Sequence, residues 1–293
     1  MELPSERPGR LKIGVVGAGR VGAVLGAALA RAGHRVVAAS AVSSRERAAV
    51  LLPGVPFVTP QEAVEAADLL LLTIPDDALE SLAAGLVTTD VPVRGKLFAH
   101  ASGRHGAMVL EPLMRAGGLP LALHPVMTFT GRPDDLHRLD GITFGVTSPE
   151  PLRPVAEALV VEMGGEPVWI AEEQRTLYHA ALAAGSNHLV TLVVEAMELL
   201  KLAGVEEPGR MLGPLLGASL DNGLRLGVQG LTGPVARGDA GTVTDHVAAL
   251  RAAAPDGVAA YLAMARRTAD RAFVAGMLKP EDASRLLEAL GDS

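Results

Sequence analysis

Gly17-Ala18-Gly19-Arg20-Val21-Gly22 is a G-x-G-x-x-G sequence, and its setting constrains the fold more than any other feature of the chain. The apolar run Leu11 to Val16 precedes it, with the length and composition of a buried strand. The alanine-rich segment Val21 to Ala32, of high helix propensity, follows it. Between a strand and a helix the three glycines have separate tasks. Gly17 permits the tight turn, Gly19 lets the backbone approach a pyrophosphate, and Gly22 lets helix and strand pack closely. The helix start at Arg20 and Val21 adds N–H groups and positive potential suited to an anion.

Strand and helix patterns then alternate. His34 to Ser40, Asp68 to Ile74, Lys96 to Ala101, Leu119 to Leu123, Ile142 to Val146 and Pro167 to Ile170 read as strands. Pro60 to Ala66, Asp76 to Leu86 and Leu152 to Met163 read as helices. Repeated βαβ units imply right-handed crossovers and a mainly parallel sheet. Residues 11–172 are therefore read as a doubly wound α/β domain of the Rossmann type, which binds a dinucleotide. From residue 173 to 293 the period is helical throughout, which gives an all-helical C-terminal domain for substrate binding and dimerisation. Its segments are Gln174 to Ala203, Pro208 to Leu226, Thr242 to Ala253, Gly257 to Ala275 and Pro280 to Leu290.

Composition narrows the partners. Of 293 residues, 49% are hydrophobic and 20% charged, the profile of a packed globule, and the net charge of −7 disfavours nucleic acid and anionic membranes. No cysteine occurs, which removes disulfides, thiolate nucleophiles and Cys-based zinc sites; no metal site of another kind is read either. Met1 to Arg10 is polar and lacks the apolar stretch of a signal peptide. The expected location is cytoplasmic. The most apolar long segment, Ala180 to Val194, is interrupted by Ser186, Asn187 and His188, so it is read as a buried helix and not as a membrane span.

Cofactor choice is read at the end of the second strand, where NAD enzymes place a carboxylate on the ribose 2′-hydroxyl. Ser40 stands there, followed by Ser43-Ser44-Arg45 and Arg47. Serines and an arginine suit a 2′-phosphate, so NADP is favoured over NAD. The alternative for Arg45 and Arg47 is an ordinary solvated helix start. Thr73-Ile74-Pro75 ends another strand and is expected to lie over the cofactor, while Asp76 is read as a helix N-cap.

Two strand ends carry polar residues in apolar surroundings, His100-Ala101-Ser102 and Leu123-His124-Pro125. Hydride transfer to a carbonyl or imine creates negative charge or calls for a proton. A histidine with a pKa near the ordinary value of about 6.5 is a natural donor. His124 is assigned that role and Ser102 the orientation of the substrate; the alternative for His124 is a core histidine with satisfied nitrogens, and His100 is read as such. Asn187 and His188 sit in an otherwise apolar helix, where burial without partners costs roughly 1–3 kcal/mol each, so they are expected to face a polar pocket. Tyr178-His179 precedes them. The helix His179 to Leu202 is apolar around much of its circumference, so a twofold homodimer is expected to bury it and to complete the active site. Arg237, in the glycine-rich loop Thr232 to Asp239, is a candidate for a substrate carboxylate; the alternative is a pairing with Asp239.

Several strings together resemble a known family. They are His100-Ala101-Ser102-Gly103, Leu123 to Phe129, Tyr178-His179-Ala180-Ala181 and Leu231 to Thr242. With the Gly17 motif they make the chain similar to Rossmann-like proteins with a DUF2520 C-terminal domain. These lie within the 6-phosphogluconate-dehydrogenase-like superfamily, beside pyrroline-5-carboxylate reductase, prephenate dehydrogenase and ketopantoate reductase. The resemblance implies an NADP-dependent oxidoreductase of small carboxylate-bearing keto, imine or hydroxy compounds, of which a ketopantoate-reductase-like activity is the sharpest version. Prephenate dehydrogenases carry a functional His-Pro and a serine matching His124-Pro125 and Ser102, and Gly185-Ser186-Asn187 resembles a Gly-Ser-Gly turn of pyrroline-5-carboxylate reductases. The Lys-x-x-x-Asn pair of hydroxyacid dehydrogenases is missing, because no lysine lies four residues before Asn187. The rival reading is a non-catalytic NADP-binding sensor or partner protein.

Overall fold

The computed structural model describes residues 9–43 and 45–291. Ser44 and the first eight residues, which hold most of the polar N-terminal stretch, lie outside them. The chain divides into two compact units between Gly185 and Ser186.

The first unit contains β1 (Lys12–Val16), α1 (Arg20–Arg31), β2 (Arg35–Ser40), α2 (Arg45–Leu51), α3 (Pro60–Ala66) and β3 (Leu69–Leu72). It continues with α4 (Leu79–Thr88), β4 (Leu97–His100), α5 (Glu111–Arg115), β5 (Leu119–Pro125) and α6 (Asp135–Arg138). It closes with β6 (Thr143–Thr147), α7 (Arg153–Glu162), β7 (Glu166–Trp169) and α8 (Arg175–Ala183). The short helices α2, α5 and α6 have no counterpart in the sequence reading, since one or two turns are too brief to show a period. The strands form one sheet in the order β2-β1-β3-β4-β5-β6-β7. All pairs are parallel except β5 with β6. The chain leaves β1 in one direction to β2 and returns on its other side at β3. That makes the carboxyl ends of β1 and β3 the switch point where such sheets open a crevice.

Successive strand residues serve opposite faces, as the period of two requires. Leu69 and Leu71 join one core with Ile13, Val15 and helices α1 and α7, while Leu70 and Leu72 join a second core with α3, α4 and α5. Helices on both faces bury the strands completely, which is why β3 reads simply as four leucines.

The unit boundary falls later than the 172/173 division read from the sequence, and Arg175 supplies the physical reason. It is fully buried, and its guanidinium donates to the Thr147 hydroxyl and to the carbonyls of Ala122 and Gly145. Helix α8 is thereby anchored to the sheet.

The second unit holds α9 (Leu189–Leu202), α10 (Pro208–Leu226), α11 (Pro234–Arg237), α12 (Ala240–Ala253), α13 (Val258–Val274) and α14 (Pro280–Gly291). Its core joins Val235, Val243, Val247, Leu262, Ala269, Leu286 and Leu290, from α11 through α14. The helix expected to be buried at Ala180 to Val194, with a twofold mate covering it, is not buried within the single chain. No residue of α9 is buried, and Val190 is 61% exposed. The apolar side chains do not close on the core of α11–α14. By length and composition alone the longer segment Glu172–Leu202 is apolar enough to cross a membrane.

Candidate active site

The glycine turn lies at the switch point, and its residues fit a dinucleotide. Gly17 has φ +89°, and a Cβ there would stand 2.7 Å from the Thr73 carbonyl oxygen. A Cβ on Gly22 would lie 2.1 Å from Thr73 Oγ1 and 2.6 Å from the Gly17 carbonyl. Gly19 differs, because the nearest atom to a Cβ there is 3.8 Å away. Fold geometry thus requires the first and third glycines, while the second leaves open space where a pyrophosphate would approach. The Gly17 and Ala18 amides both donate to the Ser40 carbonyl, and Thr73 Oγ1 donates to the Gly17 carbonyl at 2.8 Å. No side chain caps the start of α1, so the N–H groups of Arg20, Val21 and Gly22 have no capping side chain.

Ile74 follows Thr73 with its Cγ2 against Gly17. Pro75 takes the N-cap position of a short 3₁₀ turn, Asp76–Ala78, without a side-chain cap. The N-cap reading of Asp76 is therefore corrected: the proline, with its fixed φ, takes that place and leaves Asp76 inside the turn.

At the end of β2, Ser40 is half-buried and Ser43 exposed. Arg45 donates from Nε to the Ala41 carbonyl and stacks 5.7 Å from the Phe57 ring centroid. The stems of Arg20 and Arg47 meet at Gly131, where a Cβ would lie 2.9 Å from Arg20 Cγ and 3.2 Å from Arg47 Cδ. Sequence reasoning missed this approach. The loop is shaped by Asp135, whose carboxylate accepts the amides of Thr130 and Gly131 at 2.8 Å each. Burial alone would push that carboxyl up, but these donors and Arg138 hold it below the ordinary range.

The second cluster sits at the ends of β4 and β5. His100 is buried, with Nε2 2.8 Å from the Gly106 carbonyl and Nδ1 accepting the Ser102 amide. Those bonds make it a structural residue. The Ser102 hydroxyl is buried and accepts the His105 amide at 3.3 Å, and its carbonyl faces Arg175. His124 pairs across the sheet with Gly145, and its Nδ1 lies 2.8 Å from Tyr178 Oη. The His124 ring is edge-on to both Tyr178 and His179, with centroids 5.6 and 6.2 Å away. Neither Tyr178 nor Arg175 stood among the sequence-derived site residues.

The surroundings of His124 shift its titration. Burial, then Arg175 and His179, push its pKa down to about 4, with only Asp76 acting against them. The ring is neutral at physiological pH and does not serve as a ready imidazolium donor. Burial likewise pushes His100 down to about 4, and it pushes the Tyr178 phenol up, while Arg175 and the Gly145 amide pull back.

In the second unit Asn187 and His188, expected to face a polar pocket, are both exposed in the single chain. They lie in a π-helical turn, Ala184–His188, a feature frequent at functional positions. Arg237 is exposed and donates from Nη1 to the Thr232 carbonyl of its own loop, while Asp239 caps α12 through Thr242. Among the described residues no cluster suited to a metal ion occurs.

Residues 2–125 match the model of a Rossmann-like domain, and residues 142–268 match a domain of unknown function, DUF2520. These are the two domains named by the sequence resemblance. No curated protein matches the chain. Among solved structures it is similar to a Bacteroides fragilis protein provisionally assigned as an NADP oxidoreductase, with 23% identity, 89% of this chain and 98% of that one covered, and a TM-score of 0.73. An imine reductase from Pseudomonas sp. shares 21% identity over 96% of this chain and all of its own, with a TM-score of 0.67. Pyrroline carboxylate reductase of Plasmodium falciparum, with NADP bound, shares 13% identity over 97% and 99% of the two chains, with a TM-score of 0.57. At these identities the likeness is one of fold.

Proposed function

We propose that this chain, which joins a Rossmann-like domain to a DUF2520 domain, is an NADPH-dependent reductase of small carbonyl or imine compounds. The observation that carries the reading is that one sheet bears both parts of such a site at its strand ends. The glycine turn closes β1 at the switch point, and the His124–Tyr178 pair closes β5. When bound, a reduced nicotinamide supplies a hydride. The chain supplies the rest. The uncapped start of α1 and the space at Gly19 suit the pyrophosphate. Ser40 in place of a carboxylate, with Arg20, Arg45 and Arg47 nearby, supports NADP over NAD.

In this reading His124 is the residue that meets the reacting oxygen or nitrogen. Its Nε2 has no partner among the described residues, and no buried ring nitrogen is left unsatisfied, so Nε2 is open to a ligand. Buried Arg175 adds positive charge that suits a substrate carrying a carboxylate, with a short keto acid of the ketopantoate type as the sharpest candidate. The exposed apolar side chains of α9, among them Val190 and Leu202, support a homodimer that covers them. The test is NADPH consumption with keto acids and cyclic imines. Turnover that falls roughly 10²–10⁴-fold in His124→Asn, with cofactor affinity intact, supports the reading. NADPH binding without turnover of any such compound would favour the sensor instead.

A further inference from the structure

The contact between Tyr178 and His124 couples the phenolic proton to the tautomer of the ring. A neutral phenol has one proton to donate, and the one hydrogen-bond partner of the Tyr178 oxygen among the described residues is His124 Nδ1. The acceptor 2.8 Å from it is Nδ1 of a neutral imidazole. With Nδ1 accepting, the ring's own proton is on Nε2. Two glycines make the arrangement possible. A Cβ on Gly145 would lie 2.3 Å from Tyr178 Oη, and one on Gly103 would lie 3.0 Å from His124 Nε2 and 2.6 Å from His179 Cδ2. The first lets the phenol reach the strand, and the second lets the His124 and His179 rings pack closely against the loop after β4.

We propose that Tyr178 is the proton source of the site, and that its phenolic proton reaches the substrate oxygen by relay through the neutral imidazole of His124. The proposal rests on the reductase reading. A neutral histidine alone is a poor acid, since losing the Nε2 proton would leave an imidazolate. The relay removes that difficulty. Hydride addition, with reduced nicotinamide as donor, forms the new C–H bond and turns the C=O π pair into a lone pair on oxygen. That oxygen takes the Nε2 proton as Nδ1 takes the proton of Tyr178, so the ring stays neutral and the charge ends on the phenolate. Solvent then restores the phenol.

An alkoxide is a far stronger base than a phenolate, so the transfer runs downhill. The phenolate is met by Arg175, whose guanidinium carbon lies 5.7 Å from the ring centroid. Arg175 makes no ion pair with a carboxylate among the described residues; its bonds go to Thr147 and to backbone carbonyls. The charged and titratable groups facing the pair are Arg175 and His179 from α8 and Asp76 from the turn after β3. Tyr178 acts through His124 and is a positioning residue for it.

The experiment is nitrogen NMR of the histidine rings in the full chain, wild type and Tyr178→Phe, alongside turnover. The expected wild type shows His124 neutral at pH 7, with the proton on Nε2 and Nδ1 hydrogen-bonded. Tyr178→Phe should populate the other tautomer and lower kcat about 10²-fold, with KM and NADPH affinity near wild type. A wild-type proton on Nδ1, or a Tyr178→Phe enzyme at full rate, would overturn the relay and leave the reductase reading standing. Failure to bind NADPH would overturn the reductase reading, and with it the relay.

Discussion

Arg175 gives its Nε proton to the Thr147 hydroxyl across 2.7 Å, inside the first unit and fully shielded from water. The same guanidinium bonds the Ala122 and Gly145 carbonyls, so a single side chain of α8 holds β5, β6 and the His124 surroundings in register. Arg175→Met should therefore lower stability by several kcal/mol in urea denaturation, at about 1–3 kcal/mol for each acceptor left dry. A loss below about 1 kcal/mol would contradict that role.

Acid should weaken the fold in a defined window. His100 and His124 have folded pKa values of about 4, below the ordinary 6.5. Their contribution is intact above about pH 6.5. As pH falls toward about 4 the unfolded chain binds protons that the folded chain refuses, so stability falls by up to about 1.4 kcal/mol per pH unit for each histidine. His100→Asn should flatten the slope of urea midpoint against pH. A midpoint independent of pH across that window would contradict the neutral assignment.

The two kinds of glycine in the turn separate stability from binding. Gly22→Ala forces a Cβ to within 2.1 Å of Thr73 Oγ1, so thermal stability and NADPH affinity should fall together. Gly19→Ala meets nothing nearer than 3.8 Å, so stability should change by no more than about 0.5 kcal/mol while NADPH binding weakens at least tenfold, about 1.4 kcal/mol. Unchanged affinity in Gly19→Ala would place the pyrophosphate elsewhere.

Cofactor choice should depend on Arg47 as well as Arg45. Arg45 is partly engaged by Ala41 and Phe57, whereas the stems of Arg47 and Arg20 meet at Gly131. Fluorescence titration should show NADPH at least tenfold tighter than NADH, and Arg47→Ala should erase much of that gap. A gap that survives loss of both Arg45 and Arg47 would contradict a 2′-phosphate site at this strand end.

What the sequence made legible was local. The turn at Gly17, the strands before and after it and the placement of His124 at a strand end follow from short-range pattern. The antiparallel setting of β6 was not legible, because an apolar run looks the same in either direction. Tyr178 and Arg175 were missed for a related reason. Their meaning depends on α8 packing back onto β5 and β6, which no spacing announces. The pKa of His124 followed from that packing as well. For α9 the apolar composition was legible but what covers it was not, since none of its residues is buried within the single chain.

The most direct test of the central claim is the loss of NADPH absorbance in the presence of wild-type chain and a panel of short keto acids and cyclic imines. The expected result is saturable consumption of NADPH with at least one of them, falling roughly 10²-fold or more in His124→Asn at unchanged NADPH affinity. Consumption that persists at the wild-type rate in His124→Asn, or NADPH bound tightly and consumed with none of them, would contradict it.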